Sequence, residues 1–179
     1  MHRDHPPARS LPRLWLMTDE RLGERLWGAL ERLPRGSGVV FREYHLPAEA
    51  RRARYAAVLR VARRRGLVLV TAGAVPGPAD GRHGRDPRRA RGLKTWPAHD
   101  MAELVAGLRA GADLIFVSPV FATASHPGAR PLGRVRAMLL ARHAPGRTIA
   151  LGGMNARRFR GLNGMFLGWA AIDGLSTRR

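Results

Sequence analysis

The sequence predicts an α/β protein, a compact (β/α)8 TIM barrel shortened around its third to fifth strands and at its C-terminus. Three observations predict it. Short apolar runs alternate with longer amphipathic stretches, and eight strand candidates can be counted. No Gly-x-Gly-x-x-Gly follows the first run, where an open dinucleotide-binding sheet would carry one. The 179 residues, 45% hydrophobic, are enough to bury a real core but fall short of the roughly 250 usual for such barrels.

Taken in order, Leu14-Trp15-Leu16-Met17-Thr18 is strand-like and ends at Asp19, a side chain suited to cap a helix over 20–33. Pro34-Arg35-Gly36-Ser37-Gly38 breaks the chain, and Val39-Val40-Phe41 reads as a second buried strand. A long helix follows over 47–65, closed by Gly66. Its apolar face is expected at Ala50, Ala53, Ala57 and Val61, with Arg51, Arg54 and Arg60 elsewhere on the wheel. Leu67-Val68-Leu69-Val70-Thr71 is the clearest strand. From 72 to 91 the chain is largely Gly, Pro and Arg, so loops are expected there, with one very short strand near Gly81-Arg82-His83. A fifth strand is expected over 93–96, a helix over 100–110 and a sixth strand over 113–117. A loop over 118–133, a helix over 135–143, a seventh strand over 148–151, a short helix over 155–162 and an eighth strand over 165–171 complete the pattern. The expected organisation is a flexible N-terminal tail (1–12), one barrel domain (13–172) and a C-terminal tail (173–179) too short for a closing helix.

Composition bounds the function. There is no cysteine, which excludes disulfide scaffolds, Cys-ligated zinc, iron–sulfur clusters and thiol nucleophiles. No apolar run approaches the roughly 18–20 residues that span a bilayer, and the polar, Pro-rich start lacks the apolar stretch of a secretion signal. A cytoplasmic protein without a membrane partner is the expectation. The net charge is +19, and all the basic residues but Lys94 are arginine. Glutamine is absent, and Ala, Gly, Pro and Arg are abundant together, the bias of a GC-rich coding sequence. A pI near 12 would ordinarily suggest nucleic acid. That reading ranks last here, because no aromatic platform interleaves with the clusters at 63–65 and 88–91.

In barrels of this type chemistry sits at the C-terminal ends of the strands, so the residues after each apolar run carry the candidates. Gly152 and Gly153 follow the seventh strand directly and precede a helix. Glycines there let backbone N–H groups approach a phosphate; the alternative is a plain β-to-α turn. The loop over 118–133 is long for its place, and Thr123, Ser125 and His126 are close-set polar groups able to bind phosphate or carboxylate oxygens. An ordinary surface loop with Ser/Thr turn chemistry is the other reading. Arg42, just beyond the second strand, can fork onto a phosphate, as could many of the arginines.

These segments resemble a known family. Gly111-Ala112-Asp113, the run Ser118-Pro119-Val120-Phe121-Ala122-Thr123-Ala124-Ser125-His126 and Pro131-Leu132-Gly133 are similar to the GAD…GPVFPTxTK…PLG stretch of the thiamine phosphate synthase / thiazole tautomerase family. Ala150-Leu151-Gly152-Gly153-Met154-Asn155 resembles its AIGGIN segment. Gly168-Trp169-Ala170-Ala171-Ile172 resembles its last strand, Ala98-His99 with Glu103 its AHxxxE, and 14–19 its opening LYLITD. The likeness is specific over 111–155 and thin over 72–96. The family is a short (β/α)8 barrel that joins hydroxymethylpyrimidine pyrophosphate to thiazole phosphate, releasing pyrophosphate with magnesium present. The resemblance therefore implies small phosphorylated substrates, Mg2+ as cofactor, and a transferase of thiamine biosynthesis.

By the same resemblance Thr123, Ser125 and His126 contact thiazole phosphate and pyrophosphate, Gly152 and Gly153 hold phosphate, and Arg42 matches the arginine of the family's QLREK motif. Arg42 and His126 are thus the implied catalytic residues; the metal ligands are not assigned. The chain differs from the pattern elsewhere in QLREK, where Val40 replaces glutamine and Tyr44 replaces lysine. Thr71-Ala72 stands for an Asn-Asp pair, Pro97 for the serine before AH, His126 for lysine and Asp173 for the last-strand serine. Pro119 stands where the tautomerase branch carries its histidine, which disfavours that branch. His99 or His126 could shuttle a proton, or serve as loop and capping residues. The runner-up reading is a reduced-activity or non-catalytic homologue that binds thiazole phosphate or another phosphorylated ligand. Oligomeric state and the role of the arginine-rich segment 82–91 are not legible.

Overall fold

The computed structural model describes residues 11–74, 77–85, 91–123, 128 and 130–175. Eight strands alternate with helices: β1 (Leu14–Met17), β2 (Gly38–Phe41), β3 (Val68–Ala72), β4 (Gly81–His83), β5 (Leu93–Ala98), β6 (Leu114–Val117), β7 (Thr148–Ala150) and β8 (Gly168–Ala171). They close into a barrel in sequence order. Every neighbouring pair is parallel, and β8 returns to β1 with Leu14 opposite Trp169. The helices are α1 (Arg25–Arg32), α2 (Ala48–Arg65), α3 (Met101–Arg109), α4 (Gly133–Ala141) and α5 (Ala156–Arg160). Among the described residues no helix lies between β3 and β4 or between β4 and β5, which is where the shortening was expected.

The barrel interior is filled by side chains rather than open. Trp15, from β1, meets Phe116, from β6, edge to face at 5.3 Å, and His83, from β4, meets Phe116 at 5.1 Å. These strands are not neighbours, so the rings touch across the lumen. Trp15 also donates its indole N–H to the Pro12 carbonyl at 2.8 Å. Gly38 heads β2 because a Cβ there would lie 2.2 Å from the Trp15 ring. Outside the sheet, α1 buries Leu26, Ala29 and Leu30, and α2 buries Tyr55, Val58 and Ala62. On the other side, Leu104 of α3 and Ala137 and Leu140 of α4 cover β5 to β7.

Several local expectations are corrected. The helix expected over 20–33 is divided into a 3-10 turn (Glu20–Leu22) and α1, because Gly23 adopts φ +48 between them and lets both Leu22 and Leu26 reach the core. Asp19 does cap the turn, accepting from Arg21 N–H at 3.2 Å. The long helix presents a rotated face: Ala50 and Ala53 are exposed, while Tyr55, Val58 and Ala62 are buried and Arg51 is drawn inward along the same stripe. The bulk of Tyr55 and the anchoring of Arg51 outweigh a run of alanines, which gain little from burial. β5 continues through Pro97 to Ala98; β4 pairs with it only as far as Thr95, so proline's missing N–H falls beyond that ladder. α4 starts earlier than expected, at Gly133, and β8 starts later, at Gly168. The C-terminal segment opens with a 3-10 turn over Asp173–Leu175.

Candidate functional site

The loops after β6 and β7 are locked together at the C-terminal rim. Val120 N–H donates to the Leu151 carbonyl at 2.8 Å, and Phe121 N–H to the Gly152 carbonyl at 3.1 Å. Gly152 (φ +91) and Gly153 (φ +59) are required by this approach. A Cβ on Gly152 would lie 2.7 Å from Pro119 Cα, and one on Gly153 2.4 Å from the Ala122 carbonyl oxygen. Arg158 donates to the Gly153 carbonyl and lies 4.9 Å over the Phe121 ring, bracing the pair from α5. Asn155 caps that helix, accepting from Arg158 N–H at 2.9 Å. Thr123 follows Ala122 directly and is half-buried. Ser125 and His126 lie outside the described residues. The structure thus brings Gly152 and Gly153 together with the chain that leads into Thr123.

Arg42 stands on the opposite arc of the rim, after β2. Its Nη2 pairs with Asp19 Oδ2 at 3.0 Å, its Nε donates to the Thr18 carbonyl at 3.1 Å, and its backbone N–H donates to Thr18 Oγ1 at 3.0 Å. Asp19 is shared, since Arg21 Nε lies 2.6 Å from its Oδ1. Burial alone would raise the Asp19 pKa, but the hydrogen bonds and charge of Arg21, with the charge of Arg42, hold it below the ordinary carboxylate value. Burial pulls Arg42 below its ordinary value, opposed by Asp19; with so basic a starting point the guanidinium stays charged. The next residue, Glu43, is buried at φ +26, and its Oε2 has no hydrogen-bond partner. Burial raises its pKa.

Two further residues on this rim escaped the sequence reading. Arg51, from α2, donates to the carbonyls of Ala72 (2.8 Å), Ala74 (2.6 Å) and Arg42 (3.2 Å). Its guanidinium lies 5.6 Å from the Phe41 ring and 5.9 Å from the Tyr44 ring. It ties the end of β2 to the start of the loop after β3. His83 ends β4 inside the barrel, with Nδ1 2.9 Å from Thr95 Oγ1. Burial, helped by the charge of Arg42, pushes its pKa down to about 3, so it is neutral at physiological pH. A histidine closing a strand on the C-terminal side was a usable signal for His83. Nothing local marked Arg51, one of 31 arginines in the chain.

His99 lies just before Asp100, the cap of α3, and bridges to the loop after β6. Its Nδ1–H donates to the Ser118 carbonyl at 2.7 Å, and its backbone N–H donates to Glu103 Oε2 at 2.8 Å. Of the positions where the chain differs from the pattern it resembles, Val40, Thr71 and Ala72 are buried within β2 and β3, and Tyr44 is exposed. Among the described residues no three His, Asp or Glu side chains cluster as metal ligands, and Asp19 is already held by two arginines. Among the described residues the rim offers no carboxylate cluster that would hold a magnesium ion by itself. No helix is long and apolar enough to cross a membrane, among the described residues.

Comparison with known proteins bears on the same segments. Residues 90–167, from the approach to β5 to the approach to β8, match the family model for thiamine monophosphate synthase. A thiamine phosphate pyrophosphorylase from Pyrococcus furiosus superposes with a TM-score of 0.74 at 20% identity, over 95% of this chain and 90% of that one. A thiamine phosphate pyrophosphorylase from Bacteroides thetaiotaomicron superposes with a TM-score of 0.56 at 17% identity, over 91% and 83%. At these identities the two likenesses establish the barrel fold. A sequence search of curated proteins found no match.

Proposed function

We propose that this chain, whose residues 90–167 match the family model for thiamine monophosphate synthase, is a transferase that joins hydroxymethylpyrimidine pyrophosphate to thiazole phosphate and releases pyrophosphate. In that reaction the pyrimidine's exocyclic C–O bond breaks, pyrophosphate leaves with the electron pair, and the thiazole nitrogen forms the new C–N bond to the benzylic-type cation. The protein's work is to hold two anionic substrates in line and to offset the charge of the leaving group.

The observation that carries the reading is the locked pair of loops after β6 and β7. Gly152 and Gly153 approach the 119–122 backbone so closely that only glycine fits, and they do so within the stretch that matches the family. Barrel enzymes often bind phosphate in the loops after their last strands. In this reading the glycine backbone, Thr123, Ser125 and His126 take the thiazole phosphate and the leaving pyrophosphate, and Arg42 acts from the β2 arc. Any magnesium requirement would enter with the substrate's own phosphate oxygens, and no step is derived through the ion.

A second reading, binding of thiazole phosphate without transfer, is favoured by one observation. Arg42, an implied catalytic residue, is already paired with Asp19 and bonded to the Thr18 carbonyl. One assay separates the two. Purified protein with both substrates and magnesium is expected to form thiamine phosphate slowly, with stoichiometric pyrophosphate. No product at high protein concentration, with thiazole phosphate still bound, establishes the second reading instead.

A further inference from the structure

A groove of about 550 Å³ lies between the start of α4 and α5, beside the loop after β6, lined by Phe121, Arg134, Asn155, Arg157, Arg158 and Gly161. We propose that it is a second anion site, separate from the barrel mouth, that takes a polyphosphate: inorganic tripolyphosphate or the polyphosphate tail of a nucleotide.

Charge is the first argument. Three of its six lining residues are arginines and none is acidic. Several arginines elsewhere are matched: Arg21 and Arg42 on Asp19, Arg63 on Asp80, Arg64 on Glu31, Arg85 on Glu103. Among the described residues no carboxylate lies within ion-pair distance of Arg134, Arg157 or Arg158. Three arginines lining one concavity repel one another, and an anion bound among them lowers that cost. The second argument is preorganisation. Arg158 is fixed by its hydrogen bond to the Gly153 carbonyl and by stacking on Phe121, so one wall of the groove is set before any ligand arrives. Arg134 and Arg157 project from different helices, which suits a ligand with phosphates spaced along a chain rather than a single one. The volume falls in the usual range for small-molecule sites. Phe121 belongs to the loop after β6, so a ligand here would touch the loop that leads into Thr123.

The test is calorimetric titration with sodium tripolyphosphate at about 0.15 M salt, where diffuse surface attraction is screened. One binding site is expected, at least tenfold weaker in the Arg134→Ala/Arg157→Ala double variant. It is expected unchanged in Arg52→Ala/Arg60→Ala, which removes two exposed arginines from α2. Saturating thiazole phosphate should leave tripolyphosphate bound. ATP binding with the same sensitivity to Arg134 and Arg157 identifies a nucleotide source; binding of tripolyphosphate alone identifies the inorganic one. Equal weakening in both double variants, displacement by thiazole phosphate, absence of any tripolyphosphate binding, or preferential capture of a short oligonucleotide by the same arginines each overturns the proposal. Should thiazole phosphate itself fail to bind, the transferase reading falls, and the groove is judged on the two variants alone.

Discussion

The α-carbon of Gly153 is held so near the carbonyl oxygen of Ala122 that a side chain at 153 would begin 2.4 Å from it. That approach couples the loop after β7 to the loop after β6. It also makes the candidate phosphate site depend on backbone packing more than on charge.

The Gly153→Ala variant should therefore lose stability and ligand together. A Cβ at φ +59 against a backbone oxygen costs about 1–3 kcal/mol. Thermal unfolding should report that loss, and thiazole phosphate binding should weaken at least tenfold even well below the melting temperature. The more severe Thr123→Ala/Gly153→Asp pair should abolish phosphate-ligand binding; retained affinity would move the site elsewhere.

The Asp19–Arg42 pair gives a second prediction. Asp19→Asn keeps the shape but removes the partner charge that holds Arg42 toward β1. Stability should fall by about 1 kcal/mol or less, as expected for a partly exposed pair. Because the folded Asp19 pKa is lowered, its contribution is present above the ordinary carboxylate value and is lost as pH falls through the lowered one. Wild type and Asp19→Asn should thus converge in strongly acidic buffer, as read by denaturant unfolding. Arg42→Ala, in the transferase reading, should cut kcat at least tenfold while thiazole phosphate binding survives.

His83 sets an acid limit of its own. Its folded pKa, about 3, lies below the unfolded value near 6.5, so the unfolded chain binds the extra proton between them. Stability should fall as pH drops below about 6.5, with this residue contributing up to about 1.4 kcal/mol per pH unit. In His83→Gln the slope of unfolding free energy against pH should flatten in that window. An unchanged slope would show that His83 does not stay neutral inside the barrel.

Inside the barrel, Gly38→Ala should destabilise by about 2–4 kcal/mol, because its Cβ would meet the Trp15 ring at 2.2 Å. Trp15→Leu in the same chain should recover part of the loss, since the two sites share one space. Strict additivity of the two effects in a thermal-melt cycle would contradict that shared packing.

Much of the barrel could be read directly from the chain, because strand and helix signals are local. Apolar runs as short as Val39-Val40-Phe41 form strands, and even the brief β4 at Gly81–His83 was visible between its breakers. Asp19, Asp100 and Asn155 cap the elements they precede, since capping needs only a side-chain oxygen and an amide two or three residues away. The Gly152-Gly153 pair and the loop that carries Thr123 were legible for the same reason, as motifs continuous in sequence.

What local pattern could not settle depends on partners far away in the chain. The buried face of α2 was set by Tyr55 and Arg51 meeting β2 and the loop after β3, not by its alanines. The fate of Arg42 turned on Asp19, 23 residues earlier, and the neutrality of His83 on a lumen closed by Phe116. The sequence by itself determined the order of strands, the Asp19 cap and the motif that resembles the family, because those follow from side-chain periodicity and short-range hydrogen bonds. Only the tertiary structure decided which charges are neutralised, which rings fill the barrel and why two glycines are indispensable, because each is a contact between backbones or side chains that closure of the sheet brings together.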